Sequence, residues 1–413
     1  MVATTPDEMR QPPAAATAPR AHPAARVRDP RLDFYRGIAM IIILFAHTPG
    51  NFFTSWIPAR WGFSDATEMF VFCSGMASAI AFGGSFDRAG WGLGTARVAY
   101  RVWQVYWAHL GMFFVLAMLL AGIDMTGAFE TVYIGTLNLW RFFSEPGPQL
   151  VGLFTLTYVP NYFDILPMYM AILMMLPIVM GLARANLWLL AAVSVSLWIF
   201  AQGALLEALG LGHLHLSLPA EPWSDRQWFF NPFGWQLIFF TGFAFMRGWI
   251  PAPPLNRWLI GLALAVVVLN VPLSNVGIRE LDLDWARDWR TDNSGWFNKS
   301  DFGVLRFAQF LALAYLGYAV AGEGGQRLIV TGTGLAARIW AKVIGLLTKV
   351  GQQSLGIFLV SMVLARIIGF VWDQIGRSTF NVVAGNLIGV AILIGMAYAL
   401  AFFKSQPWRA AAK

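Results

Sequence analysis

The sequence predicts an all-α, polytopic membrane protein of about ten transmembrane helices with both termini in the cytoplasm, and three observations carry that prediction. The first is composition: 57% of the residues are hydrophobic and only 12% are charged, well beyond what a water-soluble core needs. The second is the apolar runs, which repeatedly reach the ~20 residues needed to cross a ~30 Å hydrocarbon layer as a helix. In lipid each run must satisfy its own backbone, so each is helical. The third is the placement of charge. With the runs threaded alternately, one side collects 19 Lys/Arg against 6 Asp/Glu and the other 10 against 16, net charges of +13 and −6. A basic excess marks the cytoplasmic side. It accounts for the overall charge of +7 without nucleic acid as a partner.

Residues 1–30 are rich in Ala, Pro and Arg and lack apolar periodicity, which predicts a disordered cytoplasmic tail. The predicted spans are roughly 33–51, 66–84, 99–122, 162–182, 186–204, 232–248, 257–274, 303–322, 351–372 and 383–403. They form one transmembrane domain over 31–404, followed by a short cytoplasmic tail, 405–413. The first run follows Arg26, Arg28 and Arg31 without a small-residue cleavage site, so it reads as a span rather than a signal peptide. The run 335–350 carries Arg338, Lys342 and Lys349 and predicts an amphipathic interfacial helix, although an extra span is the alternative. Three loops on the outer side are long, about 123–161, 205–231 and 275–302. The last interleaves Glu280, Asp282, Asp284, Asp288 and Asp292 with Trp285, Trp289 and Trp296, a mix suited to sugar binding that interfacial Trp belts also explain. The single cysteine, Cys73, excludes an intrachain disulfide. No internal repeat is visible, which weighs against a transporter built from paired inverted halves.

The first span reads RLDFYRGIAMIIILFAH, with Arg36 near its cytoplasmic end and His47 eleven residues later. At ~100° per residue, eleven steps make three turns plus about 20°, so both side chains fall on one face, ~16 Å apart along the axis. Taken singly, the Arg reads as a snorkelling anchor and the His as a satisfied polar residue. Ionisable groups inside a membrane are nevertheless functional candidates. The third span opens RVAYRVWQVYWAH, and its i, i+4 spacing puts Arg97 and Arg101 on one face near the cytoplasmic surface. Guanidiniums at the depth of Arg36 make a phosphate clamp, because Arg offers forked donors matched to phosphate oxygens. Positive-inside topology explains the pair equally well. The combination is more specific than its parts. An acyl-coenzyme A carries phosphates at one end and a thioester at the tip of a long arm, a reach comparable with the offset from Arg36 to His47.

These residues carry a resemblance. The run from Arg36 to His47 resembles the first-helix signature of the membrane acyltransferase family 3, an Arg, ten residues and a His, and RVAYR resembles its second, arginine-pair motif. The segments DATEMFVFCSGMASAIAFG, TYVPNYFDILPMYMAIL and GQQSLGIFLVSMVLA resemble those of members that succinylate osmoregulated periplasmic glucans, and the likeness covers most of residues 29–403. The resemblance implies a multi-pass O-acyltransferase of the bacterial inner membrane. Succinyl-coenzyme A would be the cytoplasmic co-substrate, a periplasmic glucan the acceptor, and no cofactor tightly bound. It implies His47 as catalytic base, Arg36 beside it in the same motif, and Arg97 and Arg101 as donor-binding arginines.

Further residues follow from the chemistry. Glu68 begins the second span from the outer side, near the depth of His47, where a carboxylate would orient the imidazole and stabilise its protonated form, or merely mark the membrane boundary. Asp164, in NYFDILPMY, holds a similar position on the fourth span and is expected to contact substrate. A succinyl group brings a carboxylate whose unpaired burial is costly, so a cation near the thioester is required. Arg306 and Arg366 are expected to supply it unless they snorkel; both lie in outer halves of apolar spans, where Arg is unfavourable by ~2.5–3.5 kcal/mol at the helix centre. His109 reads as structural, and Cys73 as apolar filler rather than an acyl-enzyme nucleophile. His213 and His215 read as loop polarity or as part of an outer site. With His22, the five histidines lack Cys or carboxylate partners at ligand spacing, so no metal is expected. Two rival functions stay open: acetylation of another cell-surface polysaccharide, and transport of a glycan or lipid with Arg36 and His47 as substrate contacts.

Overall fold

The computed structural model describes residues 29–410; the expected tail over 1–30 lies outside them except for its last two residues, as does His22. Among the described residues there is no strand, only an isolated bridge between Pro219 and Gln227. The longer helices are α1 (Pro30–His47), α2 (Ala66–Ser78), α3 (Gly84–Met125), α4 (Ile165–Ala185), α5 (Leu187–Phe200), α6 (Pro232–Arg247), α7 (Arg257–Leu269), α8 (Val304–Ala321), α9 (Leu335–Gln352), α10 (Ser354–Ile375) and α11 (Thr379–Ser405). Each predicted apolar segment falls on one of them, and α9 falls on the predicted amphipathic run. Five helical runs among the described residues are long and apolar enough to cross a membrane: Ala66–Met125, Ile165–Ala185, Val304–Ala321, Ser354–Ile375 and Thr379–Arg409. The first contains two predicted segments. Its backbone is continuous through a π-helical turn at Ala79–Gly83 and breaks only at Gly90, whose φ of +80° favours a residue without Cβ.

Contacts sort the helix ends into two groups, as an alternating bundle requires. At one end, Arg31 of α1 donates to Gly322 O just after α8 (3.3 Å) and Arg36 pairs with Ser354 at the start of α10. There too, Arg184 of α4 donates to Phe86 O (2.9 Å) and Arg247 of α6 ion-pairs with Asp87 (2.8 Å), both near the start of α3. At the other end, the close of α1 meets the starts of α4 and α11, and the start of α2 meets that of α8. Helix α9 lies against α1 at backbone distance: a Cβ on Gly37 would stand 2.0 Å from Leu347 O, and one on Gly351 1.8 Å from Asp33 O. The helix that carries Arg36 and His47 is thereby clamped along its first turns.

The long connections are built from short helices rather than irregular loops. In the acidic, Trp-rich segment, Trp289 stacks near Phe63 and Phe297 with the Arg290 guanidinium 4.5 Å from the Phe297 ring centroid, and Asp282 and Asp284 both pair with Arg287. Much of that pattern is spent on local packing. Trp285 and Trp296 remain exposed.

Candidate active site

His47 is the last residue of α1. Thr48 precedes Pro49, which disfavours helical backbone before it; Thr48 turns extended, and its N–H and hydroxyl both donate to Leu44 O. The following Asn51 exchanges amide hydrogen bonds of 2.8 and 3.0 Å with Asn386, so the turn is anchored on α11. His47 Nδ1 lies 2.8 Å from Ile43 O. A carbonyl only accepts, so Nδ1 carries the proton and the neutral ring keeps its lone pair on Nε2. Among the described residues Nε2 makes no hydrogen bond. The ring borders a cavity of 610 Å³ shared with Thr48, Asn51, Thr54, Tyr162 and Arg366, a volume within the ~300–1,000 Å³ of small-molecule sites.

Tyr162 meets the imidazole edge-on, with ring centroids 5.3 Å apart, and its hydroxyl donates to Met362 O (2.8 Å). Its φ of +88° is unusual for an aromatic residue and turns the chain so that the ring reaches His47. The Arg366 guanidinium lies 4.2 Å from the Tyr162 ring centroid. Among the described residues no carboxylate pairs with Arg366, and its buried Nε has no hydrogen-bond partner. The cavity therefore presents one base and one uncompensated cation.

Glu68 and Arg306 form a separate network. Arg306 donates from Nε (2.7 Å) and pairs from Nη2 (2.6 Å) to Glu68 Oε1, with Glu68 fully buried and Arg306 7% exposed. Asp65 joins at 3.6 Å from Arg306 and 2.5 Å from Lys299. Burial by itself raises the Asp65 carboxyl, yet Lys299 and Arg306 outweigh it and hold the group well below the ordinary carboxylate range. The imidazole expected to contact Glu68 is instead fixed by Ile43 O. Glu68 is the third residue of its helix, so its carboxylate turns back to the Asp65 N–H (2.7 Å) in a capping box. Arg306 is spent on this network, which leaves Arg366 as the expected substrate cation that borders the cavity.

The remaining expected residues lie elsewhere. Asp164, 4% exposed, accepts the Phe229 N–H at 3.2 Å and does not border the His47 cavity. Arg97 donates to Ser85 Oγ (2.6 Å) and Arg101 to Gln104 Oε1 (3.2 Å), one turn apart on α3, while Arg36 is held between Ser354 and Asp33, the latter at 4.0 Å. His109 is fully buried, with both ring nitrogens unpartnered among the described residues, and Cys73 is a buried free thiol. Asp65, Lys299, Tyr162 and Ser354 escaped the sequence reading. Asp65 was legible, because Asp65-x-x-Glu68 has capping-box spacing; the other three carry no local signal.

A bundle of apolar, membrane-length helices with a cavity at the close of α1 that holds a histidine and an arginine defines the class, a polytopic helical membrane protein with a polar site. Within that class the chain belongs to the OpgC protein family, whose family model matches residues 28–405. Membership implies acyltransferase activity. No match was found among curated proteins or among solved structures.

Proposed function

We propose that this protein is an O-acyltransferase of the bacterial inner membrane that moves a succinyl group from cytoplasmic succinyl-coenzyme A to a hydroxyl of a periplasmic glucan. Both termini are cytoplasmic, on the side of the basic helix ends. The observation that carries the reading is that His47 Nε2 and Arg366 share one cavity. Nε2 takes the proton of the sugar hydroxyl as its oxygen attacks the thioester carbonyl. A C–O bond forms, the C–S bond breaks, and the proton on Nε2 passes to the departing coenzyme A sulfur. Arg366 pairs with the succinyl carboxylate and removes the cost of burying it alone. Arg36, Arg97 and Arg101 hold the donor phosphates at the opposite end of the bundle. Glu68 acts at a distance, by fixing α2 and α8 beside the site.

Purified protein in lipid nanodiscs, given labelled succinyl-coenzyme A and glucan, should transfer label to the glucan. In Arg366→Leu, a competition assay with succinyl- and acetyl-coenzyme A should show the succinyl preference falling about ten- to a hundredfold, the worth of a hydrogen bond to a charged group. An unaltered ratio would move the carboxylate partner elsewhere or make the donor something other than succinyl. Arg97→Ala and Arg101→Ala should each weaken coenzyme A binding about tenfold in calorimetry while leaving acceptor KM unchanged. Unchanged affinity in both would assign these arginines to topology alone.

A further inference from the structure

A second cavity, of 340 Å³, lies among the long connections and is bordered by His215, Arg226, Gln227, Trp228, Phe229 and Asp301, among others. Its one arginine is already paired. Arg226 donates to Glu221 (3.0 Å), to Val159 O (2.7 Å) and to Asn161 (3.2 Å), while Asp301 accepts from Asn231 (3.2 Å) and stands 3.5 Å from His215 Nε2. An anionic ligand such as a coenzyme A phosphate therefore meets no free cation here. Neutral hydrogen-bonding groups are plentiful, in contrast: Asn161, Ser217 and Ser300 all border the cleft. Beside them stand the exposed Gln227 and Phe229. Mixed donors and acceptors, flat rings and no unpaired cation are the chemistry of a site for a neutral polyol.

The cleft and the His47 cavity share one chain segment, in which consecutive residues border each of them. Asn161 borders the cleft and Tyr162 the His47 cavity. Ser300 and Asp301 border the cleft, while the preceding Lys299 holds Asp65 in the network at the start of α2. The buried Asp164, three residues past Asn161, fixes the Phe229 backbone and with it the cleft wall. We infer that this cleft binds neutral hexose units of the glycan acceptor and delivers one of their hydroxyls toward His47. The inference rests on the acceptor proposed above and adds where that acceptor sits.

The test is calorimetry on the purified full chain with a neutral gluco-oligosaccharide and no acyl donor, using the wild type, Gln227→Ala and Phe229→Ala, both at exposed positions. Wild type should bind, and each variant should bind about three- to tenfold more weakly, as expected for losing one or two net contacts. In turnover, acceptor KM should rise by the same factor with donor KM unchanged, and added coenzyme A should not displace the oligosaccharide. Wild-type binding that both variants retain in full, or that coenzyme A competes away, overturns the cleft alone. A wild type that binds no gluco-oligosaccharide overturns the cleft and the glucan acceptor together.

Discussion

Replacing His47 by Ala should cut acyl transfer by about 10²- to 10⁴-fold, the contribution of a positioned general base, with donor binding intact. The geometry makes this expectation specific. The ring is held by one hydrogen bond, from Nδ1 to Ile43 O, and by edge contact with Tyr162, so Nε2 is aimed by the backbone rather than by a partner carboxylate. A sugar hydroxyl is a weak nucleophile at neutral pH, and among the described residues no other histidine borders the cavity. Because His47 ends its helix, the substitution interrupts no helical turn and should leave folding close to wild type. Labelled-donor transfer measures the loss, and coenzyme A calorimetry on the same sample shows that the donor site survives. Turnover at the wild-type rate would exclude His47 as the base, whatever the family likeness suggests.

The helices were readable because lipid makes them so: a run of apolar residues has no alternative to satisfying its own backbone. Where polar residues interrupt, legibility fails. The third span was expected to begin near residue 99, yet helix resumes directly after the break at Gly90, since Arg97 finds Ser85 at the bundle end while remaining helical, and Asp87, paired with Arg247, prolongs the preceding helix. In the site, His47 and Arg36 were legible because one helix carries both at a fixed angular offset. Glu68 and Arg306 were picked out individually as charges at odds with their surroundings, but their union was not visible. The two residues are 238 positions apart in the chain, and only the packing of α2 on α8 makes them neighbours. Tyr162 and Lys299 lie further beyond sequence reasoning. An aromatic residue in an apolar stretch and a lysine in a long connection are both ordinary, and what sets them apart is a backbone angle and an ion pair.

Arg306→Leu should be the most destabilising substitution in the site, by about 3–5 kcal/mol, because it strands a buried carboxylate. Glu68 is fully buried, and its remaining hydrogen bond, from the Asp65 N–H, does not neutralise its charge. Asp65 retains Lys299, so the loss falls on Glu68. The reverse change, Glu68→Gln, should cost less: Arg306 keeps Asp65 at 3.6 Å, and the amide still supplies an oxygen to the guanidinium. The double variant Glu68→Gln with Arg306→Met should recover much of the deficit, since two neutral side chains of similar volume leave no isolated charge. Unfolding midpoints in detergent for these three variants give the ordering directly. If Arg306→Leu unfolds at the wild-type midpoint, Glu68 is compensated by something other than Arg306, and the network does not hold α2 on α8. If instead the predicted order appears, reduced succinyl transfer in Arg306→Leu reports a damaged scaffold, and donor choice must be read from Arg366, whose charge has no carboxylate to strand.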